Sequence, residues 1–204
     1  MKKFLSFILL ILISKFSFCQ DTKYSIGAGV GFGLYGGKNN DKNAKKDTNA
    51  IDAACGIIQI HADYNIIKKF ALGFKFERNG FLTSKDSSDR ASSLNIGLSG
   101  KFKFVSKEKN FLYLDINPSY SYFTYNNKKD KVYSNGFNFQ LGLGWDHYFG
   151  KHIGMFISSY YTFYKYNKII NNDDYTVLKV NFPQEDYRIK FSGLNLNAGL
   201  IVRI

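Results

Sequence analysis

The sequence predicts an all-β chain: an eight-stranded antiparallel β-barrel that crosses a membrane as an up-and-down meander. Three observations predict it. Apolar and polar residues alternate with period two almost everywhere from Tyr24 onwards, which is the signature of strands with two unlike faces. The connections between these segments are alternately short and long. No run after the first twenty residues approaches the ~20 apolar residues that a membrane-spanning helix needs, so a crossing has to be made by a closed barrel.

The composition agrees. The 204 residues contain 20 Phe and 15 Tyr, together with 18 Gly and only 2 Pro, which favours strands and tight turns over helices. The N-terminus reads as an export signal over 1–19, leaving 20–204 as one barrel domain. Lys2 and Lys3 form its positive start, Phe4 to Ile13 its apolar core, and Ser17 and Cys19 the small residues before a cut at Gln20. Cys19 as a lipid attachment site is disfavoured by the Phe16–Phe18 sequence before it. Removing this segment takes three lysines from a formal charge of +12, and leaves Cys55 without an intramolecular disulfide partner. The remaining basic balance points to lipid phosphates rather than to nucleic acid.

The first strand, about 23–36, sets Tyr24, Ile26, Ala28, Val30, Phe32 and Leu34 against Ser25 and glycines 27, 29, 31 and 33. The second covers about 51–66. The third, about 69–83, sets Phe70, Leu72, Phe74 and Phe76 against Ala71, Gly73, Lys75 and Glu77. The fourth, about 91–105, carries Lys101 and Lys103 on its polar face, and the fifth covers about 111–125. The sixth, about 135–149, alternates from Phe137 to Trp145 with Asp146 on the polar side. The seventh covers about 153–167 and the eighth about 187–204. Tight turns fall near Lys68–Lys69, Ser106–Asn110 and Gly150–His152, and longer polar loops at Gly37–Asn49, Ser84–Arg90 and Asn126–Ser134. Short turns at one end and long loops at the other place the turns in the periplasm. The segment 168–187 reads as the last hairpin continuing above the membrane, with its tip near Asn171–Asp174 and a bulge at Pro183.

Alternation alone fits a soluble ligand-carrying barrel as well, with the apolar face inward. The polar face here is rich in Gly, Ser, Asn and charge, which makes no hydrophobic core. Aromatics gather near strand ends at Tyr120–Tyr125 and Tyr160–Tyr166, where interfacial girdles belong. The chain also ends in an alternating strand whose Asn197, Gly199, Val202 and Ile204 resemble the C-terminal signal read by the barrel-assembly machinery, with Ile204 in place of the usual aromatic. With the leader and the strand pattern, the chain resembles the small outer-membrane β-barrel ("porin family") proteins, akin to OmpX and the OmpA membrane domain. The resemblance implies Sec export, residence in the Gram-negative outer membrane, and contact with its lipids, lipopolysaccharide included. No periplasmic peptidoglycan-binding domain is expected after the barrel, so a role in anchoring the envelope to peptidoglycan is not implied.

Parity sends Asp63, Lys75, Glu77, Lys101, Lys103, Asp115, Asp146 and Arg203 into the lumen. Eight strands leave room for side chains and little else. Buried charges need partners, so Lys75 and Glu77 are expected to meet Lys101 and Lys103, with Asp115 pairing to the lysines. The favoured reading is a plugged interior in a barrel with an envelope, structural or adhesion role. The alternative is a narrow channel for ions or small solutes, which the glycine stripe of the first strand would also suit. A lipid A-modifying enzyme is the third reading. Its best candidates, His147 and Ser159, share the outer face of adjacent strands but lack an orienting acid. His61 is placed inside near Asp63. No cofactor motif or metal-ligand spacing occurs. Lysines 38, 42, 45 and 46 and lysines 128, 129 and 131 crowd two loops. The hairpin 168–187, with Val177, Leu178, Val180 and Phe182, is a candidate protein-binding edge.

Overall fold

The structure, a computed structural model, describes residues 23–41, 50–82, 90–126, 131–173, 175–180 and 184–204, without the side chains of 50–52. The expected export signal, lysines 42, 45, 46, 128 and 129, and the bulge at Pro183 lie outside the described residues. Eight long strands form the wall: β1 (Tyr24–Asn39), β2 (Ala50–Ile67), β3 (Phe70–Leu82), β4 (Arg90–Ser106), β5 (Asn110–Asn126), β6 (Lys131–Tyr148), β7 (Ile153–Tyr166) and β11 (Ile189–Arg203). Each pairs antiparallel with its chain neighbours, and β1 pairs with β11 to close the ring. Their bounds lie within a few residues of those expected, because one pleat period governs both the pattern and the geometry.

The register fixes the barrel's shape. A single rung runs Gly27–His61–Lys75–Gly97–Ser119–Asn138–Tyr164–Phe191 and returns to β1 at Gly37. The return is displaced by ten residues, from 27 to 37. Eight strands with this stagger are strongly tilted and enclose a lumen that side chains can fill. Bulges interrupt the ladders at Asn65/Ile67 and at Lys103/Val105, close to the short turns.

The faces are assigned by burial. Phe74 is 69% exposed, whereas Glu77, three residues along the same strand, is 1% exposed. Val30, Leu143, Leu194 and Leu200 likewise stand outside, and Asn79, Asn117, Asn138 and Gln140 are fully buried inside. A wall that is apolar outside and polar inside is stable only in lipid.

The segment 168–187 departs from the expected continuous hairpin. The β7–β11 ladder stops at Tyr166 opposite Ile189. The chain then turns aside, so that β8 (Ile170–Asn171) pairs with β6 at Val132 and Tyr133. Val177 bridges back to Ile170, and β9 (Lys179–Val180) pairs with β10 (Glu185–Asp186). A turn does occupy 172–173, at the expected tip. The diversion has an apolar cause: Ile169, Leu178 and Tyr187 pack against aromatic side chains in the barrel mouth.

Candidate functional site

The interior is the candidate site, and it has three tiers. In the middle tier, Lys75 and Glu77 lie on one strand two residues apart, so both side chains enter the lumen. Their charged groups are 3.1 Å apart. Lys75 Nζ donates to Gln140 Oε1 at 2.6 Å, and Gln140 Nε2 donates back to both Glu77 oxygens at 3.0 and 3.1 Å. Asn79 and Asn95 each donate to Glu77 Oε1, at 3.0 and 3.2 Å. Lys75 also sits 4.0 Å from the centre of the Tyr160 ring. A buried ion pair survives desolvation only with such additional hydrogen bonds.

The periplasmic tier holds most of the other charges. Lys101 reaches past its ladder partner Asp115 to Asp63 Oδ2, at 2.7 Å, and stands 4.8 Å from the Tyr113 ring centre. Lys103 donates to Asn65 Oδ1. His61 lies 3.7 Å from Asp63 and edge-on to Phe156. Asp146 is buried nearby, and a cavity of about 30 Å³, room for about one water, lies among Asp63, Lys101, Lys103, Asp146 and Arg203.

Two of the expected contacts differ. Asp115 takes hydroxyls instead of lysines, accepting from Ser99 Oγ at 3.0 Å and Tyr160 at 2.8 Å. Lys75 and Glu77 do not meet Lys101 and Lys103, because the ladder sets Lys75 opposite Gly97 and Lys101 opposite Ala71. Arg203 stays half-buried at the rim, donating to the carbonyls of Lys151 and Glu108 and covering the Tyr148 ring at 4.2 Å.

The extracellular tier is apolar, against the expectation of a polar, charge-filled interior. Tyr35, Phe81, Tyr164, Tyr166 and Phe191 converge with Cys55, Ile57 and Ile169. Tyr164 stacks on Phe191 at 4.5 Å, and Tyr35 meets Phe191 edge-on at 5.7 Å. The tyrosine hydroxyls face the polar tier below: Tyr166 meets Ser121 Oγ at 2.7 Å, and Asn95 donates to the Tyr164 oxygen at 3.0 Å. The two aromatic clusters therefore divide. Tyr120, Tyr122, Tyr161 and Phe163 face outwards as a girdle, whereas Tyr160, Tyr164 and Tyr166 fill the lumen.

The glycines of β1 do not open a path, because neighbouring strands fill the space they leave. A Cβ on Gly27 would lie 2.3 Å from the His61 ring, and one on Gly29 would lie 2.6 Å from Phe156.

His147 pairs with Met155, whereas Ser159 pairs with Leu143, four residues along β7 and roughly 13 Å away. His147 Nδ1 bonds to Asn110 Oδ1 at 2.9 Å, an amide that Trp145 also reaches at 3.3 Å, among the exposed aromatics of the outer wall. Among the described residues, no three candidate metal ligands come together. At the C-terminus, Asn197 is buried inside against Gly31, Gly199 leaves room for Phe156, and Val202 and Ile204 are exposed outside.

The family model for the outer membrane protein beta-barrel domain matches residues 5–200. The chain belongs to that family. It is an integral β-barrel of the Gram-negative outer membrane. Solved structures with the same fold include OprG from Pseudomonas aeruginosa, 11% identical with a TM-score of 0.55, covering 90% of this chain and 96% of that one. AlkL, determined in DMPC bilayers, is 16% identical with a TM-score of 0.55, over 92% and 93% of the two chains. Neisserial surface protein A is 16% identical with a TM-score of 0.52, over 89% and 97%. No curated protein matches the chain in sequence.

Proposed function

We propose that this protein is a closed, non-conducting outer-membrane barrel that serves the envelope structurally or by interaction through its extracellular end. The observation that carries this reading is the lumen filled at three levels, with the aromatic tier roofed by Ile169, Leu178 and Tyr187. An ion entering from outside would have to displace apolar rings. One entering from the periplasm meets the Lys101–Asp63 pair beyond a cavity of about 30 Å³. The short β9–β10 pair at the extracellular end is the surface assigned to a partner in this reading. Asn197, Gly199 and Val202 on the strand that closes the ring, with Ile204 directly after it, would serve assembly. Single-channel recording of the refolded protein in a planar bilayer tests the reading. Silence across a range of voltages is expected. Steady, reproducible openings would favour the narrow channel and make Lys101 and Lys103 candidates for setting its selectivity.

A further inference from the structure

Three strands that adjoin at the closing seam carry a row of like charges. Lys38 on β1 stands directly opposite Lys190 on β11, and Lys190 stands directly opposite Lys165 on β7. All three are exposed and share the parity of the outward residues on their strands: Phe32 and Leu34, Leu194 and Leu196, Tyr161 and Phe163. Like charges placed directly opposite one another on a sheet repel, so a sequence ordinarily separates them or interposes an acid. None of the three side chains has an ion-pair or hydrogen-bond partner among the described residues. The far arc of the same rim is built differently, since Asn126 stands between Arg90 and Lys131.

The row's height on the wall indicates what neutralises it. Below it lies the lipid-facing apolar band, ending in Leu34, Leu194 and Phe163. At the transition, Ser192 on the outer face bonds to the Tyr161 hydroxyl at 3.0 Å. Exposed Phe137 stands opposite Lys165 as an aromatic anchor. Cations that stand just above an aromatic girdle, on the face that touches lipid, are at the level of lipid headgroups.

We propose that Lys38, Lys190 and Lys165 form a binding site for the phosphate groups of a phosphorylated glycolipid in the outer leaflet. The site rests on the outer-membrane placement of the barrel and not on whether its lumen conducts. The row slants along the rung, so successive phosphates of one headgroup, or those of adjacent lipids, can each lie between two lysines.

The test uses the full refolded protein in detergent micelles, titrated with bisphosphorylated lipid A, with the same lipid after dephosphorylation, and with inorganic phosphate. Thermal unfolding reports binding. Bisphosphorylated lipid is expected to raise the midpoint saturably, and the dephosphorylated form is expected not to. Removing charge should weaken the half-saturating concentration roughly fivefold for each lysine and about a hundredfold for three. The variants are Lys190→Gln and the triple Lys38→Gln/Lys165→Gln/Lys190→Gln, each checked for folding by its gel mobility before and after boiling. Without lipid, the triple variant should be at least as stable as the parent, because repulsion is relieved. If the triple variant does not fold, Lys190→Gln decides, as it removes the central charge. Equal titration of parent and variant, or equal effect of the dephosphorylated lipid, would overturn the site. A shift reproduced by inorganic phosphate at the lipid's concentration would also overturn it, in favour of a free anion. Channel recordings bear on the closed lumen alone, so the two readings fail separately.

Discussion

In the middle of the lumen, Glu77 is held by Lys75 and by the side-chain amides of Gln140, Asn79 and Asn95. At the extracellular end, Phe81 and Phe191 are held by ring contacts, chiefly with Tyr35 and Tyr164. Both regions are buried and both close the barrel, but they respond differently to damage. In the polar tier the partners are few and directional, so losing one leaves an uncompensated charge. In the aromatic tier the contacts are many and individually weak, so losing one leaves a void that its neighbours partly refill.

The largest expected effect breaks the polar tier. Glu77→Gln keeps the shape but strands the Lys75 charge, and should cost about 3–5 kcal/mol in urea unfolding from lipid vesicles. Lys75→Met/Glu77→Leu together should recover most of that loss. A single-variant cost below about 1 kcal/mol would mean that water, not Glu77, compensates the lysine. Next, Phe191→Ala should cost about 3 kcal/mol by the same measurement, with no rescue from a second charge change. Gly27→Ala comes third, at about 1–3 kcal/mol, since its methyl group forces the His61 ring aside. A shift of the His61 ring resonances by NMR would locate the strain.

The smallest effect lies outside the membrane. A hydrogen bond from Lys179 holds the Asp186 carboxyl below its ordinary range. A lowered folded-state pKa contributes stability above the usual carboxylate value of about 3.9, and that contribution is lost as pH falls through the folded value. Acidification should therefore loosen the β9–β10 pair first. Hydrogen exchange at the Tyr187 amide, which donates to the Leu178 carbonyl at 2.8 Å, would report it. Unchanged protection of that amide down to pH 3 would assign the hairpin's order to its apolar underside instead.

The wall was legible in the sequence because a single parity rule decides both strand and face: Phe74 outside and Lys75 inside follow from their neighbours alone. The contacts across the lumen were not. Lys75 on β3 meets Gln140 on β6 because the stagger of the closed ring, ten residues in one circuit, sets which levels of distant strands coincide, a quantity that no local pattern encodes. The aromatic tier was missed for a different reason. Tyr164 and Tyr166 carry inward parity, as Phe191 does, but the nearness of the two tyrosines to a strand end suggested a girdle. Applying parity ahead of position would have found them. The diversion of 168–187 depends on that tier, so it was hidden with it.

Cys55 is buried against Tyr35 and Phe81 in the aromatic tier. It is the only free thiol among the described residues, and it faces neither lipid nor solvent. Its rate of alkylation by a small water-soluble reagent is therefore a clock for the roof above it. Each modified molecule records one occasion on which the rings parted, whether or not an ion passed.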